Sequence, residues 1–465
     1  MNLIKTPIIP VRPSFVKVHA PHELHKEAIC VFMALGFFLD TDTYWKDEVC
    51  LPAGSINSLD DKGFLIDSKP WFEWYHTPRT ISFDDALEEF MTLFETIIKE
   101  QVQNKAVILP LSGGLDSRTQ AVALSKLPNK VQAYSYAFEG GYPEQRIAKS
   151  IADTCGFDFS SFTISEGYLW DVIDDLARIN GCYSEFTHPR QMAVLPELQH
   201  MDGVFSLGHW GDVLFDRSVP NGTQSSQLLD IVLKKIVKRG GMALATSLWK
   251  HWELEGNFEE YLRARVQVLL DKIHIEDVNA KVRAFKSLYW APRWTSTNLS
   301  VFSEAHPIQL PYYDDRMCTF ICSIPETYLA NRQLQIDYIK QQNKALAKIT
   351  WEQQKPFNLY SYPKNKSPYN VPYRVYHKLK RELKARIGQP YVQRNWELQF
   401  IGTDNANKLE QYLSTPSFTA LVSPSLVTGF YEKFLTKNPV DYAHSMSMLL
   451  TLAVWSQQQR NDQKD

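Results

Sequence analysis

The sequence of 465 residues predicts an α/β protein: a parallel sheet with helices on both faces, a small β-rich N-terminal domain and a helical C-terminal part. Three observations lead to this fold class. Strand-like and helix-like stretches alternate between residues 82 and 208, β-like runs with turn residues precede them, and the texture after about residue 225 is mostly helical. Such alternation is typical of a parallel sheet covered by helices.

The first 80 residues carry the predicted N-terminal domain. They are rich in Pro, Gly and aromatic residues, they show no convincing helix, and residues 59–63 (LDDKG) predict a hairpin turn. The apolar run at residues 28–38 indicates a buried strand or a short helix. We expect a domain boundary near residue 80, which divides the chain into residues 1–80 and 81–465.

A helix is predicted to begin after Ser82, a favourable N-cap, because apolar residues then recur at helical spacing. Strands are predicted at residues 107–111, 131–138, 159–165 and 203–208, and helices at residues 118–127, 143–156 and 169–181. A terminal helix is predicted around residues 446–459. Residues 351–376, rich in Pro, Tyr, Asn and Lys, predict a long loop that could serve as a lid.

The composition argues against several classes of function. The net charge is −2, without the basic excess of a dedicated nucleic-acid binder. No apolar run approaches the roughly 18–20 residues of a membrane span, and the N-terminus lacks a signal-peptide pattern. The six cysteines are scattered without a CxxC pair. We therefore expect a cytoplasmic protein with neither a nucleic-acid nor a membrane partner.

The stretch PLSGGLDS, Pro110 to Ser117, joins a predicted strand to a predicted helix and is the strongest candidate site. Two glycines there let backbone N–H groups face an anion, and a helix N-terminus adds positive potential. Ser112 and Ser117 offer hydroxyl donors to phosphate oxygens. Asp116 would repel a phosphate, so its expected role is to hold Mg²⁺. The pattern thus predicts a site for a nucleotide polyphosphate and a metal ion.

The string SGGLDS resembles the pyrophosphate-binding loop of the N-type ATP pyrophosphatases, and among them the asparagine synthetase family. The resemblance implies an adenine nucleotide alpha hydrolase-like fold, ATP and Mg²⁺ as cofactors, and an acyl-adenylate formed with release of pyrophosphate. It identifies Asp116 and Asp212 as catalytic metal ligands and Lys355 as the lysine that stabilises the pyrophosphate. The candidate nucleotide-binding residues are Leu111, Ser112, Gly113, Gly114, Leu115, Asp116, Ser117, Tyr136, Phe138 and Gly208.

Weaker matches extend the resemblance over about residues 80–460. They are Glu144, Ala148, Ala152 and Gly156 in the helix after the second strand, Asp212 in SLGHWGDVLF, the segment Pro311-Tyr312-Tyr313-Asp314, and Lys355 in TWEQQKPFN. The terminal stretch LLTLAVW is similar to the last helix of the family.

The sequence also departs from the family. Glutamine-using members begin with a cysteine, whereas no cysteine precedes Cys30 here, so we expect no glutaminase activity and a reduced glutaminase-like remnant in residues 1–80. His209 and Trp210 stand where the family has glutamate and glycine, and Gln309 where it usually has arginine. These changes favour a carboxylate substrate other than aspartate.

The resemblance therefore implies an ATP-dependent ligase that joins a small-molecule or peptide carboxylate to ammonia or an amine, with a separate ammonia-supplying partner as one option. Sugar uronic acids, lasso-type macrolactam precursors and β-lactam precursors are alternative substrates. RNA-modifying pyrophosphatases and a non-catalytic nucleotide-binding partner protein are competing classes. The general base is open between Glu185, His188 and His209, and the oligomeric state is open, with a homodimer among the alternatives.

Overall fold

The computed structural model describes residues 2–143 and 145–462. Glu144, which the resemblance puts at the start of a helix, lies outside the described residues. Among the described residues, the helices all fall short of the length and hydropathy that crossing a membrane requires.

The central sheet has five parallel strands in the order β10-β9-β6-β7-β8. Their bounds are β6 Val107–Pro110, β7 Val131–Phe138, β8 Asp158–Ile164, β9 Val204–Ser206 and β10 Ile308–Gln309. The first four were predicted, and β10 was not, because its two residues carry no readable pattern. The helices that follow the strands are α3 Asp116–Leu124, α4 Gln145–Cys155, α5 Tyr168–Asn180, α6 Leu195–Gln199 and α7 Gly211–Leu214. The predicted parallel α/β fold is confirmed.

The strand order has a consequence for the site. The chain passes from β6 through β7 to β8 on one side of the sheet, and then returns to the other side of β6 to form β9. In open parallel sheets, ligands bind where the strand order reverses, at the carboxyl ends of the two strands concerned. That crevice lies here between β6 and β9.

The N-terminal residues form two small antiparallel sheets and one helix. The sheets have the orders β1-β4-β5 and β2-β3, with β1 Asn2–Lys5, β2 Phe15–Lys17, β3 Glu48–Cys50, β4 Ser55–Leu59 and β5 Leu65–Pro70. The turn between β4 and β5 confirms the predicted hairpin. The expectation of no helix was wrong: α1 spans Lys26–Leu35, and its residues 28–35 are fully buried. An all-apolar helix shows no amphipathic spacing, so periodicity could not reveal it.

Packing is continuous across residue 80. Buried side chains on both sides of that position belong to one hydrophobic core. The Tyr44 hydroxyl donates to the Cys182 carbonyl at 2.7 Å, and the Ile8 amide donates to Asp315 Oδ1 at 3.0 Å. The domain boundary near residue 80 stays a prediction.

The remaining helices surround the sheet and build the C-terminal part. Helix α2, Phe83–Val102, begins as predicted, because the Ser82 hydroxyl accepts the Asp85 amide at 3.1 Å. The middle helices are α8 Leu228–Ile236, α9 Gly241–His251, α10 Phe258–Asp271, α11 Val278–Phe285, α12 Ser296–Ala305, α13 Asp315–Cys322, α14 Glu326–Leu329, α15 Gln333–Gln342 and α16 Lys344–Lys348. The last are α17 Val371–Arg386, α18 Asn395–Phe400, α19 Thr403–Leu413, α20 Pro416–Thr419, α21 Pro424–Thr436 and α22 Pro439–Asp462.

The predicted loop at residues 351–376 is partly helical. It contains two short 3₁₀ turns, Glu352–Gln354 and Tyr362–Lys364, and its last residues already belong to α17. The Pro and Asn residues of this stretch hid the helix start, although Pro372 occupies the first turn, where proline is tolerated.

Candidate active site

A cavity of about 600 Å³ opens at the crevice between β6 and β9, within the size range of ligand pockets. Its walls come from the loop after β6, the loop after β9 and the helical stretch Lys286–Thr295. Of the predicted site residues, it is lined by Leu111, Ser112, Gly113, Gly114, Leu115, Asp116, Ser117, Tyr136, Gly208 and Asp212. The fold thus gathers most of the predicted site in one place.

Two predicted site residues lie outside this lining. Phe138 packs in a small separate cluster with Ile164, Tyr168 and Leu398. Lys355 Nζ lies 3.4 Å from Glu352 Oε1, and Glu352 does line the cavity. Lys355 therefore stands behind Glu352 rather than on the wall, and its assigned role stays a prediction.

The loop Ser112–Ser117 is held by its own hydroxyl groups. The Ser112 amide donates to Ser117 Oγ at 3.2 Å, and the Gly114 amide donates to Ser112 Oγ at 3.2 Å. The Gly113 amide donates to Glu352 Oε2 at 3.1 Å, so a carboxylate already occupies this donor. An amide bound to a side-chain anion beside a helix N-terminus is a geometry suited to an anionic ligand.

Glycine is required at position 113 by close approach. A Cβ there would lie 2.7 Å from Glu352 Cβ and 3.0 Å from Ile147 Cγ2. At Gly114 the nearest atom to such a Cβ is Ser112 Oγ, at 3.2 Å, and no other described heavy atom comes within 4 Å. The first glycine thus admits the segment that carries Glu352, and the second keeps the loop accessible from the cavity.

Asp116 is held by two side chains of the segment at α15. Its Oδ1 accepts hydrogen bonds from Arg332 Nη2 and, at 3.0 Å, from Gln335 Nε2. Burial raises the pKa of Asp116 to about 6, the Arg332 charge acts against this shift, and the negative charge of Asp212 adds to it. The site thus brings Asp116 and Asp212 close enough to repel each other.

At Gly211 the loop after β9 approaches Asp116 of the loop Ser112–Ser117 so closely that no side chain larger than a hydrogen atom fits. A Cβ at this position would lie 2.2 Å from Asp116 Oδ1 and 2.9 Å from Tyr312 Cζ. Gly208 is less confined, with Asp116 Cβ 3.1 Å from the corresponding point. The loop after β9 therefore packs directly on Asp116, which places Asp212 beside it.

The donor set fits a magnesium ion bound together with phosphates. Mg²⁺ in nucleotide sites is usually held by one or two carboxylates, with phosphate oxygens and water completing the shell. Within the described residues no group of three His, Cys, Asp or Glu side chains could hold a metal. Two adjacent carboxylates, one of them exposed to the cavity, match the requirement of a metal shared with a ligand.

Two buried arginines complete the site, and the sequence motif did not reveal their roles. Arg332, 4% exposed, adopts the left-handed conformation with φ +62° and donates to Asp116. Its neighbours ANRQLQ carry no recognisable signal. Arg118 directly follows the motif, and it was assigned only to a helix.

Arg118 ties the glycine loop to the segment before Glu352. Its guanidinium donates to the carbonyls of Gly113 at 3.1 Å, Ile349 at 3.1 Å, Thr350 at 2.8 Å and, more weakly, Leu346 at 3.4 Å. Burial lowers the pKa of Arg118 to about 10, and the Glu352 charge opposes this shift. The side chain is fully buried, and it shares the Gly113 and Leu346 carbonyls with the backbone amides of Glu352 and Ile349.

Lys286 lies among three tryptophans, Trp210, Trp290 and Trp294, on the wall of the cavity. Lys286, Trp290 and Trp294 belong to a π-helical stretch, a conformation often found at functional sites. Lys286 Nζ lies 5.6 Å from the ring centroid of Trp210 and 5.4 Å from that of Trp290. Burial lowers the pKa of Lys286 to about 8, and the Asp212 charge opposes this shift.

Trp210 is in an unusual conformation. Its φ of +79° is left-handed, a region that glycine adopts freely and that bulky residues rarely adopt. The indole is buried and its Nε1 donates to Ser287 Oγ at 3.0 Å, which offsets part of the strain. The resemblance puts a glycine at this position, so a large wall side chain has replaced the residue that the backbone favours.

Among the three candidate bases, only His209 lines the cavity. Burial lowers its pKa to about 4, and the Asp212 charge opposes this shift. Its buried Nδ1 has no hydrogen-bond partner within residues 2–143 and 145–462. His188 packs on Trp294 with ring centroids 4.2 Å apart, and Glu185 accepts the Trp294 Nε1 hydrogen at 3.2 Å. Both lie behind the wall.

The chain was compared with known proteins. The family model described as asparagine synthase matches residues 89–457. No curated protein matches the chain. A solved NMN synthetase from Francisella tularensis is similar over 44% of this chain and 92% of its own, at 13% identity and a TM-score of 0.22.

Proposed function

The chain belongs to the asparagine synthase family, and from this premise we propose that it joins a carboxylate to ammonia or an amine, with ATP cleaved to AMP and pyrophosphate. ATP-dependent ligase activity follows from the family. The AMP-forming route, the substrates and the residue roles are our proposal. The observation that supports it most is the contact between the SGGLDS loop and the HWGD loop at the switch point of the sheet.

The loop Ser112–Ser117 is proposed to receive the triphosphate. Its amides, its two hydroxyls and the N-terminus of α3 supply donors and positive potential at one point. The Gly113 amide, which now binds Glu352, would exchange this carboxylate for a phosphate oxygen. Displaced Glu352 would also release Lys355, which is proposed to contact the leaving pyrophosphate.

Asp116 and Asp212 are proposed to hold Mg²⁺. A bound Mg²⁺ would supply positive charge to the phosphates and offset the repulsion between the two carboxylates. Arg332 and Gln335 orient Asp116 from the side of α15. Because its hydrogen bonds are all on Oδ1, Oδ2 is the oxygen that stays available for a ligand.

His209 is the proposed proton acceptor for the nitrogen nucleophile. It lines the cavity and is neutral in this structure, and because burial lowers its pKa to about 4, the role requires negative charge such as that of Asp212 to stabilise the protonated ring. Its unpartnered Nδ1 is a buried acceptor or donor left for a substrate. The other two candidates, Glu185 and His188, are proposed to act only through packing on Trp294.

The substrate is proposed to be a bulky carboxylate other than aspartate. Three tryptophans and Lys286 form its wall, which offers apolar area and one cation for a carboxylate. The same wall favours the second candidate, closure of a peptide side-chain carboxylate into a macrolactam. Glutamine is not the proposed nitrogen donor, because Cys30 and Cys50 are buried and burial raises the pKa of both thiols.

The deciding experiment is ATP–pyrophosphate exchange across a panel of carboxylates, including uronic acids and peptides. We expect exchange with at least one bulky carboxylate and none with Asp116→Ala, which should still fold. Asp230→Ala, which alters an exposed ion pair, is the matched control and should retain exchange. Full exchange by the Asp116 variant would overturn the assignment, and ATP binding without exchange on any carboxylate would favour the non-catalytic alternative.

A second assay separates the nitrogen donors. We expect product with ammonium or an amine, and only background product with glutamine. Glutamine-supported turnover by the purified protein would refute this part of the proposal. A cyclised product from a single peptide would select the macrolactam candidate over an intermolecular ligation.

A further inference from the structure

Helix α17, Val371–Arg386, has no buried residue along its length. The apolar side chains Val371, Val375, Leu379 and Leu383 follow one another at intervals of four, so they form one stripe along the helix. Their exposed fractions rise from 41% at Val371 to 65% at Leu383, and Ile387 just beyond is 64% exposed. Exposed leucines and valines in a continuous stripe mark an interaction surface.

Two residues of the helix are partly covered, and all the others are exposed. Tyr373 and Lys384 are half-buried, and Lys384 Nζ lies 4.2 Å from the ring centroid of Tyr391. At 100° per residue these two positions fall on the side of the helix away from Leu379. The apolar stripe is therefore exposed to solvent, whereas a helix on a globular surface normally buries its apolar face.

The charge of this helix contrasts with that of the whole chain. It carries six basic residues and one acid, Glu382; the basic residues are Arg374, Lys378, Lys380, Arg381, Lys384 and Arg386. The complete chain has 50 Lys and Arg against 52 Asp and Glu, which leaves 44 basic and 51 acidic residues elsewhere. Positive charge is thus concentrated beside the exposed apolar stripe of an otherwise acidic protein.

Both ends of the helical segment are attached near the cavity. Before it, Glu352 binds the amide of Gly113. After it, Val392 bridges to Gly141, and Tyr391 stacks on Tyr142 with ring centroids 4.3 Å apart. Gly141 follows the carboxyl end of β7, on the edge of the sheet where the cavity opens. Whatever α17 binds is therefore held close to the mouth of the site.

We propose that α17 docks the protein onto an anionic lipid bilayer surface, with its apolar stripe in the interface and its lysines and arginines on the acidic headgroups. An interfacial helix combines a leucine-rich face with a polar face rich in Lys and Arg, and attraction to acidic lipids adds to the apolar burial. Exposed Tyr369 and Tyr376 suit the headgroup level. This proposal departs from the sequence-based expectation of no membrane partner, which rested on the absence of a long apolar run, a feature that bears only on a spanning segment.

The test is cosedimentation of the full chain with vesicles of phosphatidylcholine alone or of phosphatidylcholine with phosphatidylglycerol, without ATP or carboxylate. We expect binding to the anionic vesicles, weakened about tenfold or more in the double variant Leu379→Asp, Leu383→Asp. Leu435→Asp is the matched control, since Leu435 is 57% exposed on another helix, and it should bind like the unchanged protein. Circular dichroism of each variant verifies folding.

The other outcomes overturn the proposal. They are failure to bind either vesicle, equal binding to both vesicles, and binding that the double variant does not weaken. Binding to polyglutamate without binding to vesicles would also overturn it, and would indicate an acidic protein partner. Because the assay contains no reactants, its result is independent of the proposed enzymatic activity.

Discussion

The tightest contact of the candidate site is at Gly211, and Gly211→Ala tests it. The new methyl carbon would stand 2.2 Å from Asp116 Oδ1, whereas real Cβ atoms essentially never approach a heavy atom within 3.0 Å. The carboxylate must therefore retreat by about 0.8 Å, the difference between these two distances. Gly211 has no positive φ, so the substitution adds a clash without backbone strain.

Movement of the Asp116 carboxylate costs free energy because hydrogen bonds hold it in place. It must give up or stretch the hydrogen bonds that it accepts from Arg332 and Gln335, each worth about 1.5–3 kcal/mol because the acceptor is a charged group. Misplacement by about 1 Å in an active site costs on the order of 100-fold in rate. We expect ATP–pyrophosphate exchange to fall about 100-fold, while the free energy of unfolding falls by roughly 2 kcal/mol.

Alanine substitutions at two further glycines provide comparisons for the expected loss of exchange. Gly208→Ala puts a methyl 3.1 Å from Asp116 Cβ, a tight contact that small shifts can relieve, so exchange should fall about tenfold or less. Gly429→Ala, in helix α21, meets no heavy atom within 4 Å; it should leave exchange unchanged and stabilise the helix by about 0.5–1 kcal/mol. Exchange is measured with radiolabelled pyrophosphate, and stability by thermal unfolding. Exchange by Gly211→Ala within twofold of the unchanged protein, or an equal loss in all three variants, would refute the reasoning.

Three other substitutions test separate parts of the structure. Arg118→Met removes the guanidinium that donates to four backbone carbonyls, of which Gly113 and Leu346 keep a backbone amide donor, and it should lower the free energy of urea unfolding by roughly 3–5 kcal/mol. Arg316→Met, on the surface, should change this free energy by less than about 1 kcal/mol, and equal effects would contradict the network. Burial raises the pKa of Glu326, but the charge of Arg283 and the hydrogen bonds from Arg283 and Asn279 outweigh burial and leave the pKa below its ordinary 4.5. The ionised Glu326 side chain therefore contributes stability that is fully present above about pH 4.5 and is lost as the pH falls through the lower pKa of the folded state. Glu326→Gln should cost roughly 3–5 kcal/mol at neutral pH and flatten that acid limb, and an unchanged limb would exclude this assignment. Trp210→Gly places a residue that suits φ +79° at this position but removes the indole from the cavity wall. The KM for the bulky carboxylate should therefore rise about tenfold while the KM for ATP stays constant. A rise in both KM values would argue against a wall specific for the carboxylate.

Local patterns were sufficient for four of the five strands of the central sheet and for one loop of the candidate site. Short strand-like runs bounded by turn residues, alternating with helix-like stretches, located β6 to β9 and helices α2 to α5, because these signals lie within each element and its immediate neighbours. The SGGLDS string located the loop after β6, since its glycines, hydroxyls and acid each answer a local requirement of an anion and a metal. The two-residue strand β10 carries no such signal and was not predicted, and the apolar run of α1 left a buried strand and a short helix as alternatives.

The side chains that contact the loop Ser112–Ser117 were decided by the tertiary structure. Arg332, Gln335 and Glu352 lie more than 200 positions from Asp116 and Gly113, and no local pattern connects residues so far apart. The exposed stripe of α17 was likewise not predicted, because its start lies in the stretch expected to be a loop and exposure depends on which segments pack on a helix. The sequence by itself determined the α/β fold class and the glycine loop after β6, since both depend on neighbouring residues, while anion binding by that loop stays a prediction. The folded chain decided the partners of Asp116 and the tryptophan wall, since those depend on which distant segments pack together.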